Sequence, residues 1–173
     1  MANTFIKIAA VTVGAGGASS IDFTSIPSTY TDLCVKYSTR VTASATFSDL
    51  NIRFNGSTSG YSERMLYGDG TSAASAATSG SLINWGASDG STATSSTFSN
   101  GEIYLPNYTG SNNKSMSQDA VTENNSSAGN SVTMNLDAAL WSNTAAITQV
   151  TLIPSSGTLV QYSTATLYGI KNS

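Results

Sequence analysis

Histidine is absent from the 173 residues, cysteine occurs once and proline three times. Without histidine the commonest general base and the commonest metal ligand are both missing. A single cysteine cannot close an internal disulfide, so the chain implies no oxidising compartment. Charge is scarce too: 10% of the residues are charged, against about 25% in an average soluble domain. Ten acids and seven bases give a formal net charge of -3, scattered along the chain rather than gathered into the basic stripe that nucleic acid requires. No run approaches the roughly eighteen apolar residues of a membrane span. The alternating start MANTFIKIAAVTV reads as a strand rather than a signal peptide. Neither a nucleic-acid partner nor membrane insertion is expected.

What the chain does contain is serine, threonine, asparagine and short apolar runs of period two, bounded by turn residues. Asp49 to Phe54 is the clearest strand: Leu50, Ile52 and Phe54 point one way, Asp49, Asn51 and Arg53 the other, and Asn55-Gly56 ends it. Further strands are expected at 4–13, 20–24, 31–41, 62–67, 81–85, 96–105, 114–122, 131–136, 146–153 and 158–170, with one helical turn at Asp137–Trp141. About ten short strands predict an all-β, antiparallel, jelly-roll-like sandwich spanning 1–173 as a single domain. The Ser/Ala/Thr/Gly-rich region 68–100, almost without charge, is expected to form long surface loops flanking a short strand at 81–85, suited to packing against a neighbouring subunit.

Within Thr31–Val41, alternation places Leu33, Val35, Tyr37 and Val41 toward the core and Asp32, Cys34, Lys36, Ser38 and Arg40 outward. Cys34 has no base to activate it and is expected instead to sit under a loop or another chain. Ten acids leave many formal carboxylate pairs open, but no second signal marks one as catalytic: Asp69 and Asp89 precede glycines as turn residues do, and Glu63 and Glu102 read as outward strand positions. The isolated Asp-Gly pairs lack the spacing of a calcium loop. Val13–Gly17 lacks the lysine of a phosphate loop and reads as a connection between strands. The sequons at Asn55 and Asn107 read as turns. No catalytic, cofactor or metal residue is assigned. Tyr61, Tyr67, Trp85, Tyr104, Tyr108 and Trp141 lie near expected turns or strand ends, where aromatic faces can stack on sugars or anchor interfaces. Trp85, Tyr104, Tyr108 and Cys34 are the candidate contact residues.

Three stretches carry a resemblance. Ile21-Asp22-Phe23-Thr24-Ser25-Ile26-Pro27 with Thr29-Tyr30-Thr31-Asp32-Leu33, Ser99-Asn100-Gly101-Glu102-Ile103-Tyr104-Leu105-Pro106-Asn107-Tyr108, and Val160-Gln161-Tyr162-Ser163-Thr164-Ala165-Thr166-Leu167-Tyr168-Gly169-Ile170-Lys171 resemble small virion proteins of tailed bacteriophages, especially marine and cyanobacterial ones. The resemblance implies a β-sandwich particle component, assembled in the host cytoplasm and carried on the virion. The leading expectation is a non-enzymatic capsid decoration or cement protein, forming a homo-oligomer, with a trimer the first stoichiometry considered. It would contact the major capsid protein or tail proteins. The alternatives are a tail-fibre or receptor-binding module that recognises host surface glycans, and a polysaccharide-degrading enzyme.

Overall fold

A computed structural model describes residues 4–125 and 133–171, except for the side chain of Trp85. The described chain is all β. Its twelve strands are β1 (Phe5–Thr12), β2 (Ile21–Phe23), β3 (Asp32–Thr39), β4 (Phe47–Phe54), β5 (Tyr61–Gly68), β6 (Ala73–Gly80), β7 (Ile83–Asp89), β8 (Ser99–Leu105), β9 (Lys114–Thr122), β10 (Thr133–Trp141), β11 (Val150–Pro154) and β12 (Thr164–Ile170). They form an eight-stranded sheet, ordered β1-β12-β3-β8-β9-β10-β5-β6, and a four-stranded sheet, ordered β2-β11-β4-β7.

Eight of these strands make a jelly roll. Counting only β1, β2, β3, β4, β7, β8, β11 and β12, the first pairs with the last, the third with the sixth, the second with the seventh and the fourth with the fifth. A long antiparallel ribbon rolled up on itself gives this order, with successive ribbon pairs falling in alternate sheets. The other four strands are insertions. The β5-β6 hairpin enters between β4 and β7, the β9-β10 hairpin between β8 and β11, and together they extend one sheet beyond β8.

The core forms where alternating apolar rows of the two sheets meet, as β3 contributes Leu33 and Val35 and β4 contributes Leu50, Ile52 and Phe54, all of them buried. Close approach dictates Gly169, because a Cβ there would overlap the Tyr30 ring packed on it. Asn55 and Gly56 both adopt positive φ, of 50° and 68°, as the sequence turn signal requires. The Asn55 amide is occupied: its Nδ2 donates to the Ala146 carbonyl at 2.8 Å, and its Oδ1 accepts from the Thr148 and Gln149 amides. Residues 13–17 connect β1 to β2 as expected.

Three expectations need correction. Region 68–100 is not a pair of loops around a short strand; it contains β6 and a longer β7, leaving 90–98 as its only long connection. β6 leaves no mark in the sequence because an edge strand with neither face deeply buried needs no alternation of large apolar residues, and AASAATSG has none. Arg40, placed outward from sequence, is half-buried, and its guanidinium donates to the Thr94, Thr97 and Ala93 carbonyls at 2.8, 2.9 and 3.1 Å, holding the 90–98 connection in place. Asp137–Trp141 is no helical turn but the end of β10, paired on both sides with β5 and β9. Two ladders of backbone hydrogen bonds outweigh the helix preference of Ala-Ala-Leu. Of the expected strand at 131–136, residues 131 and 132 lie outside the described residues, and the rest belongs to β10.

Candidate functional site

The inserted strands β5, β6, β9 and β10 present two chemically different faces. The inner face, turned toward β7, carries a polar group among its apolar core residues: Glu63 from β5, Gln118 from β9, and Asn135 and Asp137 from β10 are all buried. Glu63 was expected outward. It is instead buried and accepts hydrogen bonds from Asn84 of β7, at 2.9 Å from the backbone amide and 2.8 Å from Nδ2. Those two donors replace the water that Glu63 gives up, which is why an acid is tolerated here.

Asp137 pairs in register with Gln118, whose Nε2 donates to Asp137 Oδ2 at 3.0 Å. Burial pushes the Asp137 carboxyl up to about 7, and the like charges of Glu63, Asp119 and Asp49 push in the same direction. Burial also raises Glu63 and Asp49, with Asp49 adding to the rise at Glu63. All three carboxyls are thus pushed upward by burial first, and Glu63 and Asp137 by neighbouring negative charge second. A cleft of about 390 Å³, lined by residues including Phe47, Asp49, Tyr67 and Asn135, opens beside them. Among the described residues, no group of three or more His, Cys, Asp or Glu is placed to hold a metal ion.

The outer face carries an apolar patch beside Arg64, Ser117 and Asp119. Leu66 of β5 pairs directly with Leu136 of β10, and Met134 pairs with Val121 of β9. Leu66, Leu136 and Met134 are 57%, 60% and 65% exposed and, with Val121, Ala73 and Asp119 among others, line a groove of about 490 Å³. Three large apolar side chains side by side on an exposed sheet face mark an interaction surface rather than scattered surface hydrophobes. None of the three was singled out from sequence. The usable signal was the alternation Met134, Leu136, Ala138, Leu140, but its partner row through Trp141 carries the more deeply buried residues.

The four residues proposed from sequence do not come together here. Cys34, expected on an outward row open to a loop or another subunit, is buried within its own sheet. β3 lies between β12 and β8, so Cys34 is flanked in register by Tyr168 and Tyr104. Alternation put Cys34 on the correct face; the neighbouring strands then supplied the tyrosines that cover it. Burial, with Glu102 adding to it, pushes its thiol up to about 12, far from the thiolate that reactivity needs. Native protein is accordingly expected to leave an aromatic disulfide reagent unconsumed, with one thiol released only after denaturation; rapid reaction of the folded chain would contradict the burial.

Tyr108 also requires correction as a contact residue. It is fully buried, and its hydroxyl donates to the Pro27 carbonyl, since a large ring beyond the end of β8 fills core space that solvent would otherwise enter. Tyr104 lies next to the end of β8, as expected, but is half-buried, with its hydroxyl donating to Asp32 Oδ2 at 2.8 Å. The Asp32 carboxylate, expected outward, is buried and also accepts from the Asn107 amide at 2.8 Å. Trp85 falls in β7, and its side chain lies outside the described residues. Tyr61 and Trp141, the other end-of-strand aromatics, are core residues. Lys36 and Glu102 are exposed enough to form a surface ion pair at 2.8 Å, of the kind worth little to stability.

No protein-family model, no curated protein and no solved structure matches the chain.

Proposed function

We propose that the chain is a non-enzymatic structural component of a tailed-phage virion, a jelly-roll unit that decorates or cements the capsid through subunit interfaces. The observation that carries the assembly role is the exposed row Leu66, Leu136 and Met134 on a sheet extension that the eight-strand jelly roll does not itself need. A face of this kind stabilises a particle by being covered, and symmetry multiplies each contact. The phage setting rests on the resemblance of the three sequence stretches. On this reading the chain is made in the host cytoplasm and joins the particle beside the major capsid protein and further copies of itself.

The tail reading, in which aromatic side chains stack on host glycans, draws less support. Of its three aromatic contacts, Tyr108 is buried and the Tyr104 hydroxyl is committed to Asp32. The enzymatic reading draws little from the acid cluster, because Glu63 and Asp137 lie buried on neighbouring strands of one face rather than on opposite walls of an open cleft.

Quantitative proteomics of purified particles tests the proposal. Capsid decoration predicts copy numbers in the hundreds, a tail role a few to a few dozen, and absence from the particle would overturn both.

A further inference from the structure

The two sheets have four edges, and three of them are closed to further pairing. β1 carries Lys7 and a register shift between Lys7 and Ala9, both standard devices for blunting an edge. β2 is only three residues long. β7 has its backbone groups taken up within the chain: the Asn84 amide donates to Glu63, the Ala87 carbonyl accepts from Ser99 Oγ at 2.7 Å, and the Asp89 carbonyl accepts from the Val41 amide at 2.8 Å.

β6 has none of these protections. It runs for eight residues, Ala73–Gly80, without a charge, a proline or a register shift against β5. At about 3.4 Å per residue this is an edge of about 27 Å. Among the described residues its backbone bonds only to β5. Every second residue on the far side of the pleat, Ser75 and Ala77 among them, is small and exposed, so nothing bulky or charged obstructs an incoming strand. A row of unpaired amides and carbonyls of this length is a template for another strand.

We propose that β6 pairs antiparallel with β6 of a second copy of this chain, joining two eight-stranded sheets into one. The proposal rests on the assembly role proposed above and names the surface used between copies. The occupant follows from chemistry and symmetry. An antiparallel pair about a two-fold axis normal to the sheet sets β6 against itself, and an uncharged Ala/Ser/Thr strand meets no like charge in doing so. The same axis keeps both outer faces on one side, so the rows Leu66, Leu136 and Met134 of the two copies lie on one continuous surface. Pairing of β6 with β1 of another copy, which would generate rings or filaments, meets the Lys7 bulge instead. The product is therefore a pair rather than a trimer.

Sedimentation velocity of the full chain from about 1 to about 200 µM tests this, a range that spans weak to moderate self-association. Wild type is expected to shift from monomer to dimer across that range. Ser75→Lys/Ala77→Lys sets lysines against lysines in any two-fold register centred on the strand, and is expected to stay monomeric with an unchanged unfolding midpoint. Leu66→Ser/Leu136→Ser, which alters the outer face alone, is expected to dimerise as wild type does. Hydrogen exchange on wild type needs no variant: amides of residues 73–80 are expected to gain protection as concentration rises. A wild type that stays monomeric, a trimer, or a dimer indifferent to the lysines would overturn the proposal. Abundance on particles alongside a monomeric isolated chain would remove the edge pairing and leave the virion role standing; β6-dependent dimers of a protein absent from particles would do the reverse.

Discussion

Asp137→Asn is expected to stabilise the protein at pH 8 by about 2–3 kcal/mol, and to do so less and less as pH falls. The folded chain holds the Asp137 carboxyl at about 7, against 3.8 for the free side chain. A raised carboxyl favours folding while it is protonated, so its contribution is complete below about pH 4 and is lost as pH rises through about 7. Above that, the native state carries a buried negative charge among other acids, with one Gln118 hydrogen bond in partial compensation. A rise from 3.8 to about 7 corresponds to about 4 kcal/mol; electrostatic coupling to Glu63 and Asp49 reduces what one substitution recovers. Asparagine keeps the shape and an acceptor for Gln118 Nε2 without the charge. Urea unfolding of both proteins from pH 4 to pH 8 provides the check, and the informative quantity is their difference. A difference that is flat with pH, or a variant less stable at pH 8, would show that Asp137 is charged and well solvated in the native state.

Trp141→Ala is expected to cost about 3–5 kcal/mol, the range for deleting a large buried aromatic. The indole at the end of β10 lies 6.1 Å from the Tyr61 ring in a stacked arrangement and 5.8 Å from the Phe54 ring in a tilted one. Tyr61 belongs to β5 and Phe54 to β4, so Trp141 joins the inserted strands to the opposite sheet of the jelly roll. Tyr61 secures the same junction by accepting a hydrogen bond from the Phe54 amide at 3.0 Å. Loss of the indole leaves a cavity there and loosens the extension that bears the outer apolar row and the β6 edge. Trp141→Phe should recover more than half of the loss. Guanidinium unfolding and near-ultraviolet circular dichroism measure both variants, and a cost below about 1 kcal/mol would mean that the cluster tolerates collapse around the gap.

Trp141 also explains why the facing of β10 was hard to read. In Met134-Asn135-Leu136-Asp137 the apolar residues would ordinarily face the core and the polar ones water. Here Asn135 and Asp137 are buried while Met134 and Leu136 are exposed, because the whole strand must keep one phase and Trp141, with Ala139, sets it. A local window shows the alternation without showing which parity a residue several places away has claimed. Glu63 illustrates a related limit: its position in β5 was legible, but the two Asn84 donors that make its burial tolerable come from β7, which is distant in sequence. β6 is a third kind of case, a strand defined by its pairing with β5 and carrying almost no pattern of its own.

By itself the sequence determined the all-β class, most of the strands and the turn at Asn55-Gly56. These follow from local alternation and turn chemistry, which neighbours in space do not undo. Tertiary structure alone decided how eight strands roll into a jelly roll and where the four inserted strands attach. It also decided which parity of β10 faces inward, how Cys34 is covered, and that β6 is the last strand of the eight-stranded sheet. Each depends on contacts between residues far apart in the chain, and period two carries no information about which strand will lie alongside.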